Sequence, residues 1–329
     1  MMLKFFKQSL PQVIVVIILL AIIMWGQSII NNLYYPFYFD SIQMPFYEKL
    51  TTWLSNNLLF GKIVTLVAML SVGLYLLHIN TKHIVIKQRT YLPAFFYFIL
   101  TSSLIPLQQL NPAVYASILI VFSLDHILSI YHKENVLDNL FRAGFYIAIA
   151  SLFYAPVIFY FIAVLFSIAS IRTFNLREWF AALFGLITPW FFYFLYQYIV
   201  NNDLSATYKI LFQNLFTEVN YDHNSFLIYA FLAYCFIVFI ISGFFLINSL
   251  STQKINVRKY HGVFFWFNLV TIAIIIFVPS VSVEITYIGI IPITFHFAHY
   301  FTNSTRRFWP NFLFITLLGF LVLMQFYTV

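Results

Sequence analysis

The stretch DHILSIYHK places Asp125, His126, Ser129, His132 and Lys133 at helical spacing inside sequence that is otherwise apolar. A second stretch, HFAHYFTNSTR, sets His296 and His299 three apart and continues their stripe through Asn303 and Arg306. His78 and Lys82 share a face in HINTKH, and Arg142 opens the apolar run RAGFYIAIAS. Ionisable side chains in such surroundings are expensive to bury, which makes them candidates for a proton relay, an ion path or a ligand site. The same groups also serve as anchors of helix ends, with interfacial cations and histidines pairing to Asp125. Imidazoles in this supply leave room for a histidine-ligated iron centre. No HxxHH cluster is present, and the sequence assigns no metal.

Those side chains need spans to carry them, and composition supplies the spans. The 329 residues are 62% hydrophobic and 8% charged, with a mean hydropathy of +0.90, far from the usage of a soluble domain. The chain reads as one all-α integral membrane domain, residues 1–329. Its aromatic abundance, 42 Phe and 23 Tyr, reads as biased residue usage rather than an aromatic-ligand site. The single cysteine, Cys235, excludes an intrachain disulfide. The start has the basic end and apolar core of a signal sequence but no small-x-small cleavage site, so it is expected to remain as a first span. Hydropathy predicts eleven spans, near 12–30, 59–79, 90–107, 111–132, 138–154, 156–171, 178–201, 224–250, 262–279, 281–302 and 308–327.

Lys and Arg accumulate on the cytoplasmic side of short loops, which orients the chain. With the N-terminus inside and the C-terminus outside, fourteen of the seventeen cations fall at cytoplasmic ends, from Lys4 and Lys7 to Arg306 and Arg307. Lys49, Lys62 and Lys209 remain outside, and every histidine except His223 falls in the cytoplasmic half. This count also fixes LFRAGFYIAIASLFYAP. A single helix kinked at Pro156 would turn every later cation outward, so residues 138–171 must form a helical hairpin turning near Ala155 and Pro156. Arms of roughly 16 residues reach about 25 Å, short for a bilayer, so the hairpin either sits in thinned membrane or re-enters.

Two outer loops have size, residues 31–58 and 202–223, and each contains an amphipathic stretch expected to lie in the interface. The first groups Phe46, Leu50, Trp53 and Leu54 after Pro45, and the second Tyr208, Leu211, Phe212, Leu215 and Phe216. The cytoplasmic turn RTFNLREW offers Arg172 and Arg177 to phosphate headgroups, Asn175 as a helix cap and Glu178 to the positive end of a helix dipole.

The stretches LFRAGFYIAIASLFYAP and SIRTFNLREWFAALFGLITPWFFYF, with QMPFYEKL in the first outer loop, resemble an uncharacterised family of bacterial polytopic inner-membrane proteins. That resemblance implies the bacterial inner membrane as location and brings no activity. More remotely, an inside N-terminus, an acid-bearing first outer loop with an interfacial helix, and short helices beside it are similar to the GT-C class of lipid-linked glycosyltransferases. In that class a carboxylate of the first outer loop serves as base or metal ligand, and a cation in a later outer loop neutralises the leaving polyprenyl phosphate. The likeness implies Asp40 and Glu48 for the carboxylate and Lys209 for the cation. The first loop departs from the class in being short and lacking paired acids.

The resulting expectation is an inner-membrane protein of envelope biogenesis with GT-C-like glycosyl transfer as its chemistry. Two alternatives stand beside it: a non-catalytic structural subunit of an envelope or secretion complex, and a transporter or flippase using the intramembrane Asp and His groups. The expected partners are membrane lipids, polyprenyl phosphate among them, and other membrane proteins, with no nucleic acid. The sequence leaves the cofactor unassigned.

Overall fold

In hydrocarbon each backbone N–H and C=O must be satisfied within the chain, which leaves helices as the available element for sequence of this kind. The computed structural model describes residues 2–8, 10–31, 34–54, 57–201, 205–218, 226–304 and 308–326, and no strand occurs among them. His223, Arg306 and Arg307 lie outside the described residues.

In chain order the helices are α1 (Met2–Phe6), α2 (Pro11–Ile30), α3 (Tyr38–Ser41), α4 (Pro45–Leu54), α5 (Leu58–His83), α6 (Leu92–Ser102), α7 (Pro112–Leu128) and α8 (Leu137–Phe153). They continue as α9 (Tyr160–Ile171), α10 (Leu176–Asn201), α11 (Ser205–Phe216), α12 (Phe226–Ser249), α13 (Ile255–Phe277), α14 (Thr286–Asn303) and α15 (Phe308–Phe326). Asparagine starts several of them. Asn57 Oδ1 accepts the N–H groups of Leu59 and Phe60, and Asn111 Oδ1 accepts that of Ala113 ahead of Pro112. Asn175 Oδ1 accepts the Arg177 N–H at the start of α10, the cap its position in RTFNLREW predicts.

Among the described residues six helices are long and apolar enough to cross a membrane: α2, α5, α10, α12, α13 and α15. This makes the chain a multi-pass membrane protein. Several other expected spans are shorter than hydropathy suggests: α6 has 11 residues, α7 has 17 and α9 has 12, while α8 keeps its expected 17. Residues 281–285 of the tenth expected span fall in a turn before α14. The reason is burial by protein. All eleven residues of α6 are buried, packed among α2, α5 and α14, so this helix meets its neighbours and not lipid.

The loop after α6, SLIPLQQLN, is also buried although rich in polar groups, and its side chains satisfy the helix end. Gln108 and Gln325 both donate to the Ser102 carbonyl (2.7 and 3.0 Å), and Trp25 donates to Ser102 Oγ (3.1 Å). Tyr97 donates to the Tyr287 carbonyl, and Tyr287 in turn to that of Leu107, which fastens α6 and its loop to α14. Non-helical backbone at membrane depth is tolerated where protein supplies such partners.

The 138–171 hairpin forms, as α8, a short 3-10 turn at Ala155–Phe159, and α9. Its tip lies under protein: α11 packs on the turn, and Phe46 of α4 meets Phe153 edge-on at 5.5 Å. α8 also packs closely against α10. A Cβ on Gly144 would stand 2.1 Å from the Ala182 carbonyl oxygen, and one on Gly185 would stand 2.0 Å from that of Phe141. Two glycines facing two carbonyls bring the backbones together without side chains between them, the small-residue packing that holds helices in lipid. Both glycines fall within the stretches that carry the family resemblance.

Both amphipathic stretches form helices, with altered faces. α4 buries Tyr47 and Leu54 and leaves Trp53 69% exposed, because Tyr47 turns inward to donate to the Leu110 carbonyl (3.1 Å). α11 buries Leu215 with Thr207 and Asn214 and leaves Tyr208, Phe212 and Phe216 outward.

Candidate functional site

At the end of the bundle that carries α4 and α11, a cavity of about 220 Å³ opens between α4, the start of α5 and the buried loop after α6. Tyr34, Asp40, Gln43, Thr51, Lys62 and Gln109 give it polar walls. Each is held in place. Asp40 Oδ2 accepts the Phe37 N–H and the Tyr34 hydroxyl, both at 3.0 Å, so the carboxylate also starts α3. Thr51 donates to Gln43 Oε1 (2.7 Å), and Gln109 exchanges hydrogen bonds with both backbone groups of Tyr35. Lys62, 1% exposed on the second turn of α5, donates from Nζ to the Ser28 carbonyl (2.7 Å). One cavity therefore holds a carboxylate and an ammonium on different elements.

Burial raises the Asp40 carboxyl above its usual range, against the lowering effect of the Phe37 and Tyr34 hydrogen bonds. Partial burial, then the Asp40 charge, push the Tyr34 hydroxyl up to about 12. A carboxylate raised in this way is a better proton acceptor than an exposed one, and a buried ammonium is suited to an anionic group.

Residues 50–329 match a family described as "Family of unknown function (DUF6427)". The chain belongs to that family. No curated protein and no solved structure matches it. The DUF6427 match begins after Asp40 and Glu48 and includes Lys62 and Gln109, so the cavity joins a wall inside the matched region to one before it.

The structure separates the residues singled out from the sequence. Glu48 and Lys209 are exposed on α4 and α11 and line no part of the Asp40 cavity. Asp125 sits at the opposite end of this DUF6427 chain, 5% exposed, and is surrounded by donors. Lys82 Nζ reaches its two oxygens at 2.9 and 2.7 Å, His83 Nε2 stands at 2.7 Å and the Tyr75 hydroxyl at 3.1 Å. The expected stripe on that span is broken, because α7 ends at Leu128 and His132 adopts a left-handed φ of 55°. His126 stacks on Tyr146 instead, and Ser129 donates to the Asp125 carbonyl. His78 is exposed beside Tyr75. Arg142 pairs with Asp138 at 3.0 Å on an exposed face of α8. Arg172, expected at headgroup level, turns back to Glu178 (3.1 Å) and to the Lys133 carbonyl (2.6 Å).

His296 and His299 do not join Asp125. They gather with His261 of α13, whose ring lies 5.7 Å from that of His296 and 5.2 Å from that of His299. All three are buried, and neither ring nitrogen of His261 or His299 has a hydrogen-bond partner. Among the described residues no group of three or more His, Cys, Asp or Glu is arranged to hold a metal ion.

Three residues escaped the sequence reading. Lys62 counted as an outer-loop cation, although it stands five positions into the apolar stretch LLFGKIVTLVAML, where an ionisable residue is a site candidate. His261 was masked by its neighbours in VRKYH, which read as an interfacial basic cluster. Glu284, 2% exposed, accepts from Tyr154 at the hairpin tip (2.8 Å), from the Ser282 N–H (2.9 Å) and from the Ser282 hydroxyl. Its sequence SVSVEITYI looks like the polar start of a span, and nothing in it points to Tyr154.

Proposed function

We propose that this DUF6427 member works in envelope biogenesis in a bacterial inner membrane, and that the Asp40–Lys62 cavity receives the polar head of a polyprenyl-phosphate-linked substrate. The observation that carries this reading is the placement of one carboxylate and one buried ammonium on the walls of a single cavity. In this topology all eleven expected helices cross or re-enter the membrane, the N-terminus is inside, and the cavity faces outward. The gathering of Lys82, Lys133, Arg172 and Lys259 at the opposite end supports that orientation, since Arg172 bonds the Lys133 carbonyl and Lys259 that of Ile171. The chemistry suited to the pair is glycosyl transfer: an acceptor hydroxyl gives its proton to Asp40 as it attacks the sugar, and Lys62 neutralises the phosphate that leaves. Lys62 takes the cation role that the GT-C likeness implied for Lys209.

Native mass spectrometry of the chain, extracted gently from its own membrane, tests the reading. The expected result is a polyprenyl-phosphate adduct that Lys62→Met removes. Bulk phospholipid together with a stoichiometric protein partner would replace it with the structural-subunit reading.

A further inference from the structure

A second cavity, of about 230 Å³, lies between α12, α13 and α14. Its walls are Phe231, Cys235, Phe239, Ile290, Ile293 and similar apolar side chains, and no charged residue lines it. Its rim is formed by Phe236, Ile272 and Ile275, which are 56%, 45% and 55% exposed on the outer surface of membrane-type helices. The cavity therefore opens sideways, toward lipid.

Three polar side chains line it, Asn268, Thr271 and Thr286. Asn268, 4% exposed and halfway along α13, lines the cavity, and its side-chain amide lies 3.3 Å from His296 Nδ1, which also faces the Pro292 carbonyl at 3.0 Å. Its Oδ1 has no hydrogen-bond partner. Thr271 and Thr286, also on the wall, are engaged with Tyr160 and the Phe267 carbonyl and with the Val283 carbonyl, which leaves Asn268 as the lining side chain with an unmet hydrogen bond. A buried amide oxygen without a partner is costly, a deficit that a ligand hydroxyl removes. A phosphorylated or carboxylated head would bury a charge with no cation to meet it.

We propose that this groove binds a neutral lipid alcohol, a long hydrocarbon bearing one hydroxyl, which enters from the bilayer between α12 and α13 and donates its hydroxyl to Asn268 Oδ1. The apolar walls take the chain and the amide fixes its depth. The proposal goes beyond the Asp40–Lys62 cavity and does not depend on it.

The test uses the full chain in phosphatidylethanolamine–phosphatidylglycerol nanodiscs with a photoreactive, clickable farnesol. Crosslinks are expected on peptides containing Phe236, Ile272 or Ile275, competed by unlabelled farnesol and at least tenfold less well by farnesyl phosphate. Asn268→Leu should weaken the farnesol competition about tenfold. Ile272→Trp, which blocks the rim without touching a hydrogen bond, should abolish labelling in protein that keeps its melting temperature. Lys62→Met should leave labelling unchanged, so failure here is distinct from failure of the polyprenyl-phosphate reading. Label spread evenly over α2, α10 and α12, equal competition by farnesyl phosphate, or full labelling of well-folded Ile272→Trp would each overturn the proposal.

Discussion

Asp125 and Asp40 are both acids of a lipid-embedded chain, yet their surroundings differ in kind. Asp125 meets an ammonium, an imidazole and a phenol within 3.1 Å and borders no cavity among those described. Asp40 accepts two hydrogen bonds on one oxygen and lines a cavity that an ammonium also lines. A carboxylate whose lone pairs are taken by the fold is a fastener: it ties α5 to α7. A carboxylate with space in front of it can meet something that is not part of the protein. Both acids stand out in so apolar a chain, but only their surroundings separate structure from site.

The comparison breaks most visibly at Asp125. Asp125→Asn leaves the buried His83 without its carboxylate, whereas Lys82, 43% exposed, can turn to water. The expected loss is about 2 kcal/mol, below that of a wholly buried pair, read as a lower melting temperature in detergent. An unchanged melting temperature would show that the cluster fastens nothing. Glu284 belongs to the same class, so Tyr154→Phe should cost about 1 kcal/mol, since Ser282 still holds the carboxylate. Lys62→Met should move stability by less than about 1 kcal/mol in either direction while removing the lipid adduct, because a methionine of similar volume relieves a buried charge. A large destabilisation would move Lys62 to the fastener side.

The smallest effect concerns pH. The Asp40 carboxyl titrates above its unfolded value, so the native state holds the proton more tightly. Stability tied to Asp40 is then greatest below the unfolded pKa, about 4, and declines as pH rises through the raised folded value. Asp40→Asn should flatten that slope in thermal melts across acid pH, and a slope identical in both proteins would assign it elsewhere.

The long spans were legible because an unbroken apolar run of about 20 residues has few other uses. The hairpin was legible from cation sidedness, a signal independent of helix length. α6 was not, because its LPAFFYFILTS looks like any lipid-facing helix, and burial on every side depends on α2, α5 and α14, far away in sequence. The pairing of Asp125 with a histidine was foreseeable in kind, but not the choice of His83, whose HINTKH also presents His78. Asp40 could be marked on a resemblance, while its cavity required Lys62 and Gln109 to converge from segments no local pattern connects.

The buried loop behind α6 also bears on how the chain is made. Beside the earlier fastenings from Trp25, Tyr35 and Tyr47, two come from Tyr287 and Gln325, which are 190 and 223 residues from their partners Tyr97 and Ser102. When α6 leaves the ribosome, neither has been translated, and eleven residues followed by two glutamines are a poor stop for an insertion channel. The segment is fully fastened only once the last helices arrive. The bundle thus closes at its centre last, and a chain cut short before α14 should present α6 and its glutamines to quality-control proteases.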